Sequence, residues 1–599
     1  MRFGSSLILS VVMAAGVSMA AASSATAYGT EQCVSEKLRA AAKQCKSILK
    51  AQAKQVKKPN AAKLDTALDK SRARLEKAWT KAEIRVASEV DCSETTGPYT
   101  DLAYALEDAA SALKDDVTDG LDPASKSHAK CSKKIIGALA KACVDLLIAD
   151  ADHIRNRDKD RDRGELAADR ADAEQKFLSG FGKAVSGNCP TAATGEGLLA
   201  ELENAVSDAK DVATISTAVS DDEFTEIVPA RFVEYADRTL EPTCADGAEW
   251  SFWVKRGSVN KVVMYYQGGG ACWNYGTCNA PTYKTGTGPG DNPDNFSSGF
   301  ADLDNPENPF RDWHFVFVPY CTGDIHWGDN EVTYRFNDEN LRIRHRGSHN
   351  ALVAEKWARD HFVDPEVVFM TGSSAGAYGA IASSAHLMEF AYQSSEFVVL
   401  GDAGNGVVTQ DFITEDLENW NLLSSVPDWI PALDVPIEEL SLADLYIELG
   451  LYYPENRFGT YTSAYDGGSG GQTGFYNIML NEGNPVAGAV WWNASCAWNV
   501  EMQALNAIAV DRAPNYRFYV GPGSSHTMWG RPRVYEEVEV GQPRIVDWVT
   551  AMVDGTAGWV NTECVDCGIT FDFMNGDNDP LPPALPTEPF DATGTIVCP

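Results

Sequence analysis

Two adjacent serines lie in the segment FMTGSSAGAYGA (residues 369–380), between an apolar run and a stretch of small residues. The second of them, Ser374, is the centre of a G-x-S-x-G pattern, which places a serine on a sharp turn between a strand and a helix. Such a turn has a strained backbone, so its close neighbours must be small, as Gly372 and Gly376 are. We therefore predict that Ser374 is a nucleophile and that the segment is not a plain glycine-rich turn.

A serine hydroxyl becomes an effective nucleophile only when a base accepts its proton. In the chain order serine, acid, histidine, the base lies downstream of the serine, and only His386 and His526 meet that condition here. His386 lies on the helix expected to leave the turn and cannot fold back onto Ser374. His526, in a loop after an apolar segment, is the predicted base, and His326 is kept open as an alternative.

Two aspartates, Asp402 and Asp466, are candidates for the acid that orients the histidine, because each follows an apolar run downstream of Ser374. The acid usually follows the second strand after the nucleophile, which favours Asp466. Asp402 is the alternative acid, or else a structural residue that caps a loop.

Three glycines in the segment YYQGGGACW follow an early apolar run. Their backbone N–H groups could approach the negative charge that develops on a carbonyl oxygen during attack. The predicted donors are Gly269 and Gly270, together with Ala375 behind the nucleophile, and a tight turn is the alternative. This chemistry requires no metal ion and no cofactor.

The elements that must position these residues are visible from about Asp221 onward, where short, β-rich apolar runs alternate with helix-like segments. The runs are KVVMYYQ (261–267), HFVFVPY (314–320), EVVFM (366–370), FVVL (397–400), GTYTSAY (459–465) and YRFYV (516–520). Continuous apolar runs are typical of strands that are buried on both faces. The pattern predicts an α/β fold with a mainly parallel, α/β-hydrolase-like sheet.

The chain before Val219 follows a different pattern, rich in Ala, Lys and Glu at helical spacing. Three cysteines recur at nearly the same spacing about 98 residues later, first Cys33, Cys45 and Cys92 and then Cys131, Cys143 and Cys189. The repeat predicts two copies of a disulfide-bonded helical hairpin. Because an odd number of cysteines cannot pair within one copy, a disulfide between the copies is plausible.

The charge and the N-terminal segment limit the partners that the protein can bind and the place where it acts. The net charge of −35 argues against nucleic acid or an anionic membrane as a partner. A positively charged start, an apolar run and an A-x-A site at residues 25–27 are typical of a signal peptide, and no later apolar run is long enough to span a membrane. We expect an exported protein, extracellular or periplasmic.

Export changes the interpretation of the 14 cysteines, whose even number suggests disulfides and not metal sites. The pair Cys564 and Cys567 has no second paired motif and no nearby histidine, so zinc is disfavoured there. Together these patterns predict a signal peptide over residues 1–27, a helical domain of two repeats over residues 28–219 and an esterase domain over residues 220–599.

Five motifs, in this order, resemble the pectin acetylesterase/Notum family of carboxylesterases over about residues 240–540: VVMYYQGGGACWNYGTC, FVFVPYCTGDIHWGD, TGSSAGAYGA, SAYD and SSHTMW. The resemblance implies a triad of Ser374, Asp466 and His526 and an oxyanion hole at the glycine run. It also implies the disulfides Cys272–Cys278 and Cys244–Cys321. The chain departs from the family at Ala271, where a Trp or another large residue is frequent.

The function expected from the residues and the resemblance is deacetylation of a polysaccharide such as pectin through an acyl-enzyme. Trp273, Trp327 and Trp529 lie near the motifs and could stack on sugar rings or pack in the core. Gly270 and Ala271 leave space for a longer acyl chain, which is the alternative substrate. A non-catalytic binding protein with a hydrolase-like domain is the rival class, and no partner is predicted for the helical domain.

Overall fold

The computed structural model describes residues 30–85, 97–157, 159–186, 189–235, 238–280, 282–467, 470–537, 539–565, 567 and 598. The predicted signal peptide and Cys92 lie outside the described residues. Among the helices that are described, none combines the length and the apolar character needed to cross a membrane.

The first part of the described chain is helical. Its helices are α1 (Thr30–Lys57), α2 (Ala61–Ile84), α3 (Tyr99–Thr118), α4 (Lys126–Arg155), α5 (Gly164–Val185) and α6 (Gly195–Thr214). The repeated cysteine segments lie on α1 and α4, and the disulfide Cys45–Cys143 joins these two helices across the copies. Cys131–Cys189 closes the second copy. Each copy therefore contains a third helix beyond the predicted hairpin, and the copies are cross-linked.

The second part of the described chain alternates strands with helices. Its strands are β1 (Thr225–Ile227), β2 (Val233–Tyr235), β3 (Arg238–Leu240), β4 (Phe252–Lys255), β5 (Val259–Tyr266), β6 (Trp313–Val318), β7 (Asn330–Phe336), β8 (Glu339–His345), β9 (Val367–Ser373), β10 (Glu396–Asp402), β11 (Arg457–Ser463), β12 (Tyr516–Gly521) and β13 (Thr562–Glu563). Its helices are α7 (Tyr275–Asn279), α8 (Gly347–His361), α9 (Ala375–His386), α10 (Asp444–Tyr452), α11 (Gln472–Leu480), α12 (Trp492–Arg512) and α13 (Ile545–Val553).

Nine of the described strands form one sheet in the order β1-β4-β6-β5-β9-β10-β11-β12-β13. All neighbours from β6 to β13 are parallel, whereas β4 is antiparallel to both β1 and β6. All six apolar runs singled out in the sequence are strands of this sheet, which confirms the predicted fold class. The hairpins β2–β3 and β7–β8 lie outside it.

Each central strand contributes side chains to two hydrophobic layers. On β5, Val262 and Met264 pack on one face with residues of α8, α9 and α10, while Val263 and Tyr265 pack on the other with α13. Because both faces are covered, these strands are continuously apolar. Because the strands are parallel, their carboxyl ends share one edge, where open α/β sheets bind their ligands.

The helical region packs against the loop that precedes β9. Val363 belongs to the helical core, and the fully buried Asp364 forms ion pairs with Arg163 at 3.1 Å and Lys210 at 3.2 Å. Burial alone would raise the pKa of Asp364, but the positive charges of Lys210 and Arg163 outweigh it and hold this pKa well below its usual range. The predicted boundary at residue 219 falls between the end of α6 and the start of β1.

Candidate active site

Ser374 joins the end of β9 to the start of α9, with φ 58° and ψ −122°. This region of backbone conformation is strained for a residue with a side chain. A Cβ atom on Gly376 would lie 1.9 Å from the carbonyl oxygen of Tyr266, and one on Gly372 would lie 2.2 Å from the carbonyl oxygen of Gly376. The turn therefore tolerates only glycine at these two positions, which is the reason for the small neighbours of Ser374.

Asp466 and His526 lie side by side at the same edge of the sheet. The fully buried Asp466 follows β11, and its Oδ1 accepts hydrogen bonds from His526 Nδ1 at 2.7 Å and from the N–H of Gln472 at 2.8 Å. The loops after β11 and β12 are tied together, since Gly467 N–H donates to the carbonyl of Ser524 at 3.0 Å. With Nδ1 as the donor, Nε2 of the neutral ring is free to accept a proton.

The His526 ring is mostly buried, with 20% of the side chain exposed. Burial lowers the pKa of His526, but the charge and the hydrogen bond of Asp466 outweigh it, so that the pKa is raised above its ordinary value. Nε2 has no hydrogen-bond partner among the described residues, and Ser374 therefore does not donate to it in this structure. That bond is frequently long until substrate binds.

Asp402 has a different set of contacts. Its fully buried carboxylate accepts hydrogen bonds from Ser373 Oγ at 2.7 Å, from Met528 N–H at 2.9 Å and from Trp529 N–H at 3.0 Å. Burial raises the pKa of Asp402 to about 6, and these hydrogen bonds limit the rise. Among the described residues, no hydrogen bond joins Asp402 to the His526 ring, so this carboxylate caps the backbone of the loop.

The glycine run packs directly against the serine turn. A Cβ on Gly268 would lie 2.3 Å from the carbonyl oxygen of Ser373. Gly270 has φ 76° and lines a small pocket with Ser374 and Ala375, while the carbonyl of Gly269 accepts from Lys284 N–H at 2.7 Å. The N–H of Ala375 is in the first turn of α9, where helix N–H groups lack a partner within the helix.

The pocket beside Ser374 has apolar walls, formed by Ile325, Val407, Val408, Phe412, Trp420, Leu442, Phe475 and Met479. The pocket is narrow, with a cavity volume of only about 40 Å³. A free volume of this size admits only a small group.

The alternative base, His326, lies elsewhere. Its ring is buried, and its Nε2 lies 2.9 Å from the carbonyl oxygen of Gln267, just before the glycine run. Burial lowers the pKa of His326 to about 4, so the ring is neutral at pH 7. His326 therefore braces the glycine segment. His386, excluded on sequence grounds, is hydrogen-bonded to Glu355 at 2.8 Å.

The three tryptophans near the motifs are core residues. Trp273, Trp327 and Trp529 are at most 3% exposed. They have no free ring face for a sugar, so the stacking alternative is wrong and the core-packing one holds. Sequence could not decide this, because each residue lies one or a few positions from a site residue whichever way its ring points.

Disulfides account for the cysteines near the site. Both bridges implied by the family resemblance, Cys272–Cys278 and Cys244–Cys321, are present, and Cys564 pairs with Cys567. One cluster in the described part of the chain has the proximity of a metal site, Cys272, Cys278 and His345. Its two cysteines are bonded to each other and offer no thiolate.

A mainly parallel sheet with a serine turn, an acid and a histidine at the ends of β9, β11 and β12 is the arrangement of the α/β-hydrolase fold. Residues 223–420, about a third of the chain, match the family described as pectinacetylesterase. The match confirms the resemblance, and it relates this region to a family of carboxylic ester hydrolases.

Solved structures with a similar arrangement include the Wnt deacylase Notum from Drosophila in two crystal forms. The first form is 14% identical to the chain, with a TM-score of 0.36, and the second is 13% identical, with a TM-score of 0.38. Both matches cover 54% of this chain, and they cover 93% and 94% of the Notum chains. A hyperthermophilic esterase from Pyrobaculum calidifontis is 13% identical and covers 56% of this chain and 88% of its own, with a TM-score of 0.26. No curated protein sequence matches the chain.

Proposed function

We propose that the protein is an exported serine carboxylesterase, with Ser374 as nucleophile, His526 as base and then acid, and Asp466 as the orienting acid. The observation that carries this proposal is the 2.7 Å hydrogen bond between His526 and Asp466, at the sheet edge that also holds the strained serine turn. In proteins generally, a buried His–Asp pair can also have a purely structural role. Here it lies at the strand ends that a triad requires.

In the proposed reaction, Ser374 Oγ forms a bond to the ester carbonyl carbon while its proton passes to His526 Nε2. The N–H groups of Gly269, Gly270 and Ala375 stabilise the negative charge that develops on the carbonyl oxygen. Collapse of this intermediate expels the alcohol, which takes the proton from His526. Water then attacks the acyl-enzyme with the same histidine as base and releases the acid.

The small pocket supports a short acyl group, acetyl above all. Its free volume of about 40 Å³ suits a small group, and an octanoyl chain would require side chains to move. We take the alcohol to be a polysaccharide hydroxyl, because the family match and the predicted signal peptide favour an extracellular polymer.

A longer acyl chain is the second candidate, and the apolar walls of the pocket favour it. Phe412, Phe475 and Met479 would have to swing aside to admit such a chain. Methionine is flexible enough for this, whereas the two phenylalanines are more constrained.

Hydrolysis of nitrophenyl acetate tests the class of reaction. Ser374→Ala should lower kcat by about 10⁴-fold or more without unfolding the protein, since only a buried hydroxyl is lost. His386→Ala is the matched control, because that histidine lies on α9 and contacts Glu355. Turnover in folded Ser374→Ala within tenfold of the wild type would end the serine-esterase proposal. A folded wild type without turnover on any ester would favour the binding-protein class.

The acyl group is tested by comparing kcat/KM for nitrophenyl acetate and nitrophenyl octanoate. We expect acetate to be preferred, and Phe475→Ala to raise the octanoate-to-acetate ratio by enlarging the pocket. A wild type that prefers octanoate and releases no acetate from acetylated pectin or xylan would contradict the polysaccharide assignment.

A further inference from the structure

One residue contacts both the turn that carries the nucleophile and the loop that carries the base. The main-chain oxygen of Asp402 accepts from Ser374 N–H at 2.8 Å. The carboxylate of the same residue accepts from Ser373 on the turn and from the N–H groups of Met528 and Trp529 in the loop. Asp402 thereby fixes the loop that follows β12 relative to the end of β9.

The loop that it holds is strained next to the base. Thr527, between His526 and Met528, has φ 67°. A β-branched side chain rarely adopts this region, and the conformation persists only where surrounding contacts impose it. The two N–H groups that Asp402 accepts from immediately follow Thr527, so these contacts restrain the turn on its C-terminal side.

The adjacent serines of the GSSAG motif now have separate roles. Ser373 Oγ accepts a hydrogen bond from Tyr265 OH at 3.0 Å and donates its own proton to Asp402. Ser373 therefore has a structural role beside Asp402, whereas Ser374 takes part in the proposed chemistry.

An ionised carboxylate suits this position because it accepts several hydrogen bonds at once and donates none. Asparagine would place an NH₂ group where Oδ1 now lies 2.9 Å from the nitrogen of Met528, so that a donor faces a donor, and would leave a single oxygen to accept from Ser373, Met528 and Trp529. The loop would then relax away from the left-handed conformation at Thr527. This relaxation would displace the imidazole of the neighbouring His526.

We propose that Asp402 is a positioning residue, which holds His526 in register with Ser374 by imposing the strained conformation of Thr527. This inference rests on the proposed function of Ser374 and His526. It assigns Asp402 a role distinct from that of Asp466, which contacts the imidazole directly.

The test is a double-mutant cycle in the full-length protein, with nitrophenyl acetate as substrate and kcat expressed per site titrated with a fluorophosphonate. Asp402→Asn should lower kcat by about 10²-fold with little change in KM, the size expected for a misplaced catalytic group. In the Thr527→Gly background the same substitution should cost at least tenfold less, because glycine adopts the left-handed conformation without help. Asp466→Asn is the matched control and should cost the same in both backgrounds.

An equal loss from Asp402→Asn in the two backgrounds would overturn the inference, as would a loss below threefold in the wild-type background. If Asp402→Asn does not fold, Asp402→Glu takes its place, since it keeps the charge but moves the carboxylate away from its position at the N–H groups of Met528 and Trp529. The loss of kcat that this variant causes should then be smaller in the Thr527→Gly background than in the wild-type background. An equal loss in both backgrounds would overturn the inference. Failure of the proposed function is separate, because it appears as turnover that Ser374→Ala leaves intact.

Discussion

The helical region and the α/β region both bury polar side chains, but they place them differently. In the helical region such groups are paired between neighbouring helices, as Asp150 is with Arg170 at 2.7 Å and Lys37 with Glu83 at 2.9 Å. In the α/β region Asp402, Asp466 and His526 gather at one edge of the sheet. Parallel strands end on the same side, whereas successive antiparallel helices end alternately on two sides. For this reason the polar groups of the α/β region can form a site, whereas those of the helical region serve to hold helices together.

The largest expected effect comes from removing the charge of a buried acid in each region. Asp466→Asn should lower kcat by about 10⁴-fold, because an amide cannot fix the histidine tautomer that leaves Nε2 free. Asp150→Asn, in an equally buried acid of the helical region, should leave kcat within threefold. Steady-state hydrolysis of nitrophenyl acetate by both variants checks this. Similar losses of kcat in the two would contradict the placement of the site in the α/β region alone.

The next effect is on stability, at the contact between the regions. Asp364→Asn should destabilise the protein by about 3–5 kcal/mol at pH 7, because Lys210 and Arg163 are left without their partner. The folded pKa of Asp364 is depressed, so its contribution is present above its ordinary pKa, near 4, and is lost as the pH falls further.

Thermal unfolding measured by circular dichroism at pH 7 and pH 3 checks this. The difference in Tm between the wild type and Asp364→Asn should be large at pH 7 and should shrink at pH 3. A difference that stays constant across this range would show that the ion pairs do not hold the two regions together.

The smallest effect is a shift in a pH profile. His526 must be neutral to accept a proton, and its raised pKa means that kcat/KM falls as the pH drops through a value above about 6.5. In Asp466→Asn the residual activity should have its acid limb at lower pH, because the charge that raises the pKa of His526 is gone. Rates between pH 5 and pH 9 measure both limbs. A wild-type limb below pH 6 would contradict the assignment of His526 as base.

Much of the α/β region could be predicted from the sequence because its signals are local. The apolar runs identify β5, β6 and β9 through β12, and the glycines at 372 and 376 identify the turn. The shorter strands, such as β1 and β13, were missed because two or three residues give no periodicity.

The contacts of Asp402 with the histidine loop could not be derived, since its two backbone donors there, Met528 and Trp529, are 126 and 127 positions away. The sequence left it open whether this acid would orient the histidine or cap a loop, because both positions follow an apolar strand. Only the pairing of the loops after β11 and β12 places Asp466 at the imidazole. Likewise, the contact of Arg163 with Asp364 joins residues 201 positions apart.

The central claim, that Ser374 is the nucleophile, is tested most directly by covalent labelling. The folded protein is treated with a fluorophosphonate, and the peptide that contains both serines is fragmented in a mass spectrometer. We expect a single phosphonyl group on Ser374, absent from His526→Ala and retained by Ser373→Ala. Labelling of Ser373 or of a residue outside the turn, or no labelling of a folded wild-type protein, would contradict it.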